Sequence, residues 1–367
     1  MAQLLRETHT DIFADVGAAV GAGVGAAGVE ENMTPEAGPV CVTGATGYIA
    51  SYVVKLLLER GYTVRGTTRS AAPEKVAHLT SLPGAAERLT LLEADLLTPG
   101  AFDEAVAGCV GVYHMASPFF LEGQSEALMI PPAVDGTKNV LGSCARHAVR
   151  KVVLTSSTAA IYVQFGAKPK EHVYSEADWS HDERMRAHNA WYCISKTEAE
   201  KAATAQLAEA GIPLAVMNPC LVIGPMLQPT LNTSCAAVLS YMSGKRAQVE
   251  ATPKAIVDVR DVALAHVLGM ETEGYVGRTM LVGASFPWAD AQPWLAAAVP
   301  ECAGAFPAKQ QDPASLPAPE HWAMAVPGEH VKYDCSKAEA LGVVWTSAED
   351  SITATALDLK RHGHYSA

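Results

Sequence analysis

A tyrosine and a lysine four residues apart, Tyr192 and Lys196 in WYCISK, are the best-placed side chains of this sequence for proton chemistry. They open a strongly helical stretch. Four residues is about one turn, so both project from one face. A free phenol ionises near pH ~10 and is a slow acid at neutrality. A nearby ammonium favours the phenolate and is expected to lower that value. Such a pair gives a proton to a substrate oxygen while hydride arrives at its carbon. Surface helices carry Tyr–Lys pairs too, so a third group is needed. TSSTAA provides candidates: Ser156, Ser157 and Thr158 stand at the end of a β-rich run. Strand carboxyl ends form the ligand edge of open α/β sheets, and a hydroxyl there can stabilise growing charge on oxygen. A cap or turn serine is the plainer reading of the same residues.

These groups need a frame, and the sequence alternates short apolar runs with helical segments. Strands are expected at Pro39–Thr43, Thr63–Thr68, Leu89–Ala94, Val110–Ala116, Lys151–Ser157 and Pro213–Pro219. Helices are expected at Gly47–Arg60, Pro73–Leu82, Ala101–Ala107, Pro132–Ala148 and Trp191–Ala210. Continuous apolar strands separated by helices predict an α/β fold, a Rossmann doubly wound parallel sheet. The expected organisation is an extension over residues 1–37, a dinucleotide-binding domain over 38–219, and a smaller substrate lobe over 220–367 with some segments returning to the first domain.

The first strand runs into TGATGYIA, Thr43 to Ala50. Gly44 permits a tight turn, Gly47 leaves room for a pyrophosphate, and Ala50 lets the helix sit close to the sheet. The helix start offers free N–H groups and a positive dipole end. Gly44, Thr46, Gly47, Tyr48 and Ile49 are therefore expected at the cofactor. An acid after the second strand would hold the ribose of NAD. Positions 65–72 read RGTTRSAA and contain none. Arg69 can clamp a 2′-phosphate and Lys75 can join it, which favours NADP(H).

A net charge of −12, from 27 basic and 39 acidic residues, argues against a nucleic-acid partner. The eight cysteines show no zinc-knuckle spacing, and no metal site is expected. HGH at His362–His364 reads as a solvated tail. The Gly/Ala-rich run at Val16–Val29 is too short for a bilayer span and has no basic leader, so the expected location is the cytoplasm with no membrane partner.

Together these segments resemble the extended short-chain dehydrogenase/reductases, within them the dihydroflavonol reductase and cinnamoyl-CoA reductase group. The likeness rests on VTGATGYIAS, VRGTTRS, HMASP (His114–Pro118), DGTKNVL (Asp135–Leu141), VVLTSSTAA, WYCISKTEAEKAA, NPCLVIGP (Asn218–Pro225), LQPTLNTS and VDVRDVALAH (Val257–His266). It implies that Asp95 and Leu96 lie beside the adenine. Met115, Ala116 and Ser117 would line the middle of the cofactor, with Pro219, Cys220, Leu221, Val222 and Ser234 near the nicotinamide. Arg69 falls on the family's phosphate-binding position. The family's catalytic serine is the second of its pair, which is Ser157, 35 residues before Tyr192. The implied activity is NADPH-dependent reduction of an aldehyde, ketone or acyl-CoA carbonyl, by a monomer or homodimer.

Dihydroflavonol reductases usually carry an asparagine shortly after the serine. Here AAIYVQ places Tyr162 there, so the likeness leans to the cinnamoyl-CoA side. HNAWYCISK departs from that group's K-N-W-Y-C-Y-G-K around the tyrosine. Phe119, Tyr162 and His188 are the expected substrate contacts. The alternatives are a dihydroflavonol-type ketone reductase, an NAD-recycling nucleotide-sugar epimerase, and a non-catalytic NADP sensor. The missing acid speaks against the epimerase and the intact Tyr–Lys pair against the sensor.

Overall fold

The computed structural model describes residues 33–118, 124–164, 168–169, 171–312 and 331–366. In chain order its strands are β1 (Val40–Val42), β2 (Val64–Thr68), β3 (Leu89–Glu93), β4 (Gly111–His114), β5 (Lys151–Thr155), β6 (Val173–Tyr174), β7 (Leu214–Pro219), β8 (Leu221–Ile223), β9 (Lys254–Asp258), β10 (Gly277–Leu281), β11 (Ala284–Phe286) and β12 (Lys332–Tyr333). The helices are α1 (Tyr48–Glu59), α2 (Pro73–Thr80), α3 (Ala85–Arg88), α4 (Asp103–Val106), α5 (Glu126–Arg146), α6 (Asp182–Ala187), α7 (Trp191–Ala210), α8 (Thr233–Met242), α9 (Val259–Glu271), α10 (Ala291–Ala298), α11 (Ser336–Ala340) and α12 (Ala348–Arg361).

Seven strands form one sheet in the order β3-β2-β1-β4-β5-β7-β10. Every pairing in it is parallel. This is the Rossmann architecture predicted from the alternating runs. The strand order reverses between β1 and β4, where ligands of such sheets bind. β1 and β4 are buried at every residue, as strands covered on both faces must be. The edge strand β3 is half-exposed. The sixth predicted strand is not the last: β10 returns from the C-terminal part and pairs with β7.

The helix predicted from Pro132 begins earlier, at Glu126. Proline is best tolerated in a first helical turn, which points to Pro132 as a start. Instead the Ser125 hydroxyl caps the helix by accepting the Leu128 N–H at 3.3 Å. The helix then runs through Pro131 and Pro132, each of which withdraws one backbone donor.

Beyond β7 a three-stranded sheet, β11-β9-β8, packs with α8, α10 and α12. Its core holds Tyr241 between Trp288 and Phe306, with ring centroids 4.6 and 5.2 Å away. Such ring pairs add about 0.5–1.5 kcal/mol each beyond the area they bury. β6 and β12 pair as a short ribbon beside Tyr162. His362 and His364 do not form a solvated tail. Their Nε2 atoms lie 3.1 and 2.9 Å from the carbonyls of Met226 and Pro229, which fastens the end of the described chain to the loop after β8.

Candidate active site

The glycine turn closes over the carboxyl end of β1. Gly44 has a φ of +65°, and a Cβ on it would lie 3.1 Å from the Ala116 Cα. A Cβ on Gly47 would meet the Gly44 carbonyl at 3.1 Å. At Gly66, in β2, a Cβ would lie 2.8 Å from that of Ala45, so the turn also needs a bare strand beneath it. The Thr67 hydroxyl accepts the Gly44 N–H at 3.2 Å, tying the turn to β2. Gly47 is the N-cap of α1, and no side chain caps that helix. A bare cradle at the start of a 12-residue helix fits the pyrophosphate of a dinucleotide.

Arg69 follows β2 directly and is exposed; Lys75, also exposed, lies in the first turn of α2. An acid does reach this loop, from the neighbouring strand. Glu93 ends β3 in register with Thr68 and accepts the Ala71 N–H at 2.8 Å. Asp95 and Leu96 follow β3, and the Asp95 carboxylate accepts the Leu97 N–H at 2.8 Å.

Across the strand reversal, Thr43 and His114 make a buried link that sequence reading overlooked. The Thr43 hydroxyl accepts the N–H groups of Met115 and Ala116, both at 3.0 Å. Its own proton is left for His114 Nδ1 at 3.1 Å, and His114 Nε2 faces Thr137 at 3.2 Å. Burial, with Lys196 nearby, pushes His114 down to about 3 and keeps it neutral. Met115, Ala116 and Ser117 are partly exposed at the mouth of this crevice. Phe119 lies outside the described residues.

The predicted strand ends at Thr155 rather than Ser157, and the chain beyond it turns the two serines to different partners. Ser156 is buried and donates to the Glu200 carboxylate at 2.5 Å. Ser157 is partly exposed; its hydroxyl accepts the Ala159 N–H at 3.1 Å and hydrogen-bonds with Tyr192. Thr158 is buried and reaches the Pro219 carbonyl at 3.4 Å. Tyr192 and Lys196 lie in the first turns of α7, both partly exposed.

The expected lowering of the tyrosine is not what the structure gives. Burial dominates and pushes Tyr192 up to about 12; the hydrogen bond from Ser157, rather than the lysine charge, opposes it. Burial also lowers Lys196 to about 8, with Glu200 pulling the other way. Near neutrality the site thus holds a protonated phenol and a mostly protonated amine.

Pro219–Val222 cross from β7 to β8, and the Pro219 carbonyl faces Ser157 and Thr158. Ser234 stands in the first turn of α8. Tyr48 does more than flank the turn: its hydroxyl donates to the Gly224 carbonyl at 2.9 Å, beyond β8. Tyr162 is buried, its ring 5.6 Å from that of Tyr333 and 6.1 Å from that of Tyr174. It packs in one apolar cluster with Tyr192, Cys193 and Cys220. His188 is exposed and caps the end of α6, four residues before Tyr192. Among the described residues no group of His, Cys, Asp or Glu could hold a metal ion, and no helix is long and apolar enough to cross a membrane.

Comparison with known proteins agrees with this geometry. The family described as "NAD dependent epimerase/dehydratase family" matches residues 40–283. Cinnamoyl-CoA reductase 1 of Arabidopsis thaliana is 40% identical over 331 residues, covering 90% of this chain and 92% of that protein. Cinnamoyl-CoA reductase CAD2 of Medicago truncatula is 43% identical over 328 residues, with 88% and 95% covered. Among solved structures, yeast methylglyoxal/isovaleraldehyde reductase Gre2 complexed with NADPH superposes with a TM-score of 0.75 at 30% identity, covering 89% of this chain and 100% of that one. The glycine turn on a reversing parallel sheet, the Tyr–Lys helix facing a strand-end serine, and these similarities together place the chain in the NAD dependent epimerase/dehydratase family, as an extended short-chain dehydrogenase/reductase related to the cinnamoyl-CoA reductases.

Proposed function

We propose that this protein is an NADPH-dependent carbonyl reductase acting on an acyl-CoA thioester or aldehyde of the kind cinnamoyl-CoA reductases use. The observation that carries this reading is the Tyr192–Ser157 hydroxyl pair, with Lys196 one helical turn on, at the sheet edge that also bears the uncapped glycine turn. The dinucleotide supplies hydride when bound. The remaining roles belong to this chain. Ser157 binds the carbonyl oxygen, and Tyr192, protonated well above neutrality, gives that oxygen its proton. Lys196 holds the nicotinamide ribose. Arg69 and Lys75 hold the 2′-phosphate, and the backbone around Gly44, Thr46, Gly47, Tyr48 and Ile49 holds the pyrophosphate.

Asp95 and Leu96 flank the adenine, Met115–Ser117 the middle of the cofactor, and Pro219–Val222 with Ser234 its nicotinamide end. Residues 38–219 make the dinucleotide half. Most of the described chain from 220 onward makes the substrate lobe, while α9 and β10 return to the first half. Tyr162, where flavonoid reductases usually keep an asparagine, favours a substrate other than a dihydroflavonol. His188 lies on the rim.

The test is NADPH oxidation against feruloyl- and cinnamoyl-CoA, short acyl-CoAs, aromatic aldehydes and dihydroflavonols, with Tyr192→Phe alongside. Turnover of a thioester or aldehyde that falls about 10²–10⁴-fold in the variant supports the assignment. Full activity in Tyr192→Phe removes it.

A further inference from the structure

One buried carboxylate next to the site has no part in the reading above. Glu200 stands on α7 one turn beyond Lys196, as Lys196 stands one turn beyond Tyr192, so the three share a helix face. Its side chain is fully buried. One oxygen accepts the Ser156 hydroxyl at 2.5 Å and the Asn218 amide at 2.9 Å; the other accepts Arg278 Nε at 2.5 Å. Asn218 also donates to the Ser157 carbonyl at 3.2 Å. The carboxylate therefore holds Ser156 directly and Ser157 through Asn218.

Arg278, on β10, extends the same grip. Its guanidinium reaches the carbonyls of Glu176 at 2.9 Å and Ala160 at 3.2 Å, and also that of Asp178. Its face lies 3.9 Å from the Trp179 ring centre. Ala160 closes the short turn that Ser157 begins. A buried ion pair is a poor source of net stability against an apolar replacement, so its placement here calls for another account.

We propose that Glu200 is a positioning residue: held by Arg278, it fixes Ser157 against the Tyr192–Lys196 face of α7 and sets a buried negative charge one helical turn beyond Lys196. This rests on the reductase reading for its consequence in catalysis, but not for its own test. The groups facing Lys196 are Tyr192 and Glu200 from its own helix, His114 from β4 and, behind Thr155, His266 from α9. β7 brings the neutral Asn218, and Arg186 of α6 meets the helix at Glu198. Glu200 is thus the acid among them, and its charge opposes the loss of the lysine proton.

The experiment titrates the free protein, labelled with ¹³C at lysine Cε, the Lys196 signal being assigned with Lys196→Arg. Glu200→Gln keeps the shape and removes the charge. Glu200→Gln with Arg278→Met removes both charges and leaves neither unpaired, should the single variant not fold. In folded Glu200→Gln the Lys196 midpoint is expected to fall by about one pH unit, a tenfold change in its acid constant; in the double variant a cation leaves with the anion, so the midpoint moves less and the loss of kcat is the readout. For any carbonyl compound that the enzyme reduces, kcat should drop about tenfold with KM changed less than about threefold, and its alkaline limb should move down by the same pH interval. Folded Glu200→Gln in which Lys196 titrates as in the wild type, or a folded double variant with wild-type kcat, overturns the proposal. Because the titration needs no substrate, that failure is distinct from the survival of activity in Tyr192→Phe, which would remove the reductase reading instead.

Discussion

The two ends of the crevice are built from opposite materials. At the β1–β2 end, backbone and small side chains meet: Gly44 against Ala116, and Gly66 against Ala45. At the β5–β7 end, polar and ionised side chains pack together, with Glu200, Arg278, Asn218 and Ser156 around the start of the Tyr–Lys helix. On the proposed reading, the first end has only to leave room and point N–H groups outward, because a phosphate brings its own charge. On the same reading, the second must hold a proton at a chosen atom, which fixed charges and pinned groups serve.

The comparison can be broken most sharply at the serine pair. Ser157→Ala should lower kcat about 10²–10³-fold, the cost of losing one donor to a developing oxyanion, while Ser156→Ala should cost far less and act through Glu200. Equal losses in steady-state kinetics would erase the distinction between the two hydroxyls. At the other end, Gly44→Val forces a side chain into a φ of +65° and onto Ala116. Strain of about 1–3 kcal/mol at that turn corresponds to roughly a 10- to 100-fold weaker Kd for NADPH. Quenching of protein fluorescence would measure it, and an unchanged Kd would show that the turn does not carry the phosphates. Arg69→Ala should weaken NADPH by about tenfold, as for a lost charged hydrogen bond, and leave NADH nearly unaffected; a parallel loss for both would assign Arg69 another role.

The smallest effect is on stability in acid. His114 and His266 are held neutral by burial, lowered to about 3 and about 4. The unfolded chain takes up these protons below about pH 6.5, so the stability they contribute is present above that pH and is lost as the pH falls towards 4 and 3. Asp261, raised by burial to about 6, and Glu271, raised for the same reason, work in the opposite sense, while the lowered carboxyls of Asp178 and Glu250 side with the histidines. Urea midpoints should therefore fall from pH 7 to pH 4.5, and less so in His266→Gln. A midpoint that rises over this interval would contradict the assignment of both histidines as buried and neutral.

The glycine turn with its flanking strand and helix was legible in the sequence because its signals are local. A strand, a glycine turn and a helix follow one another within twenty residues, and period and breaker residues reveal them. Ser156 and Ser157 separate only when the neighbours of each are known. The Glu200–Arg278 pair joins residues 78 positions apart, with no periodicity linking them, and an acid one turn past a lysine reads as an ordinary surface pair. Thr43 and His114 escaped notice for the same reason, 71 residues apart across the strand reversal. The chain after β7 was least readable. Its strands are two to five residues long, and β10 leaves it to complete the main sheet. The early start of α5 was hidden by Pro131 and Pro132, whose local preference is overruled by the Ser125 cap and the burial of Met129.

The bond from the Tyr48 hydroxyl to the Gly224 carbonyl bears on recombination. Exchanging substrate lobes between relatives is an attractive way to change what such a reductase accepts. Here the seam is not a neutral linker. A Cβ at Gly224 would press on Val259 and on both carboxylate oxygens of Asp258, so a donor segment must bring a glycine to that position and must meet a tyrosine at the start of α1. Chimeras cut after β7 should inherit the donor's substrate range only when both halves of this handshake come from compatible parents.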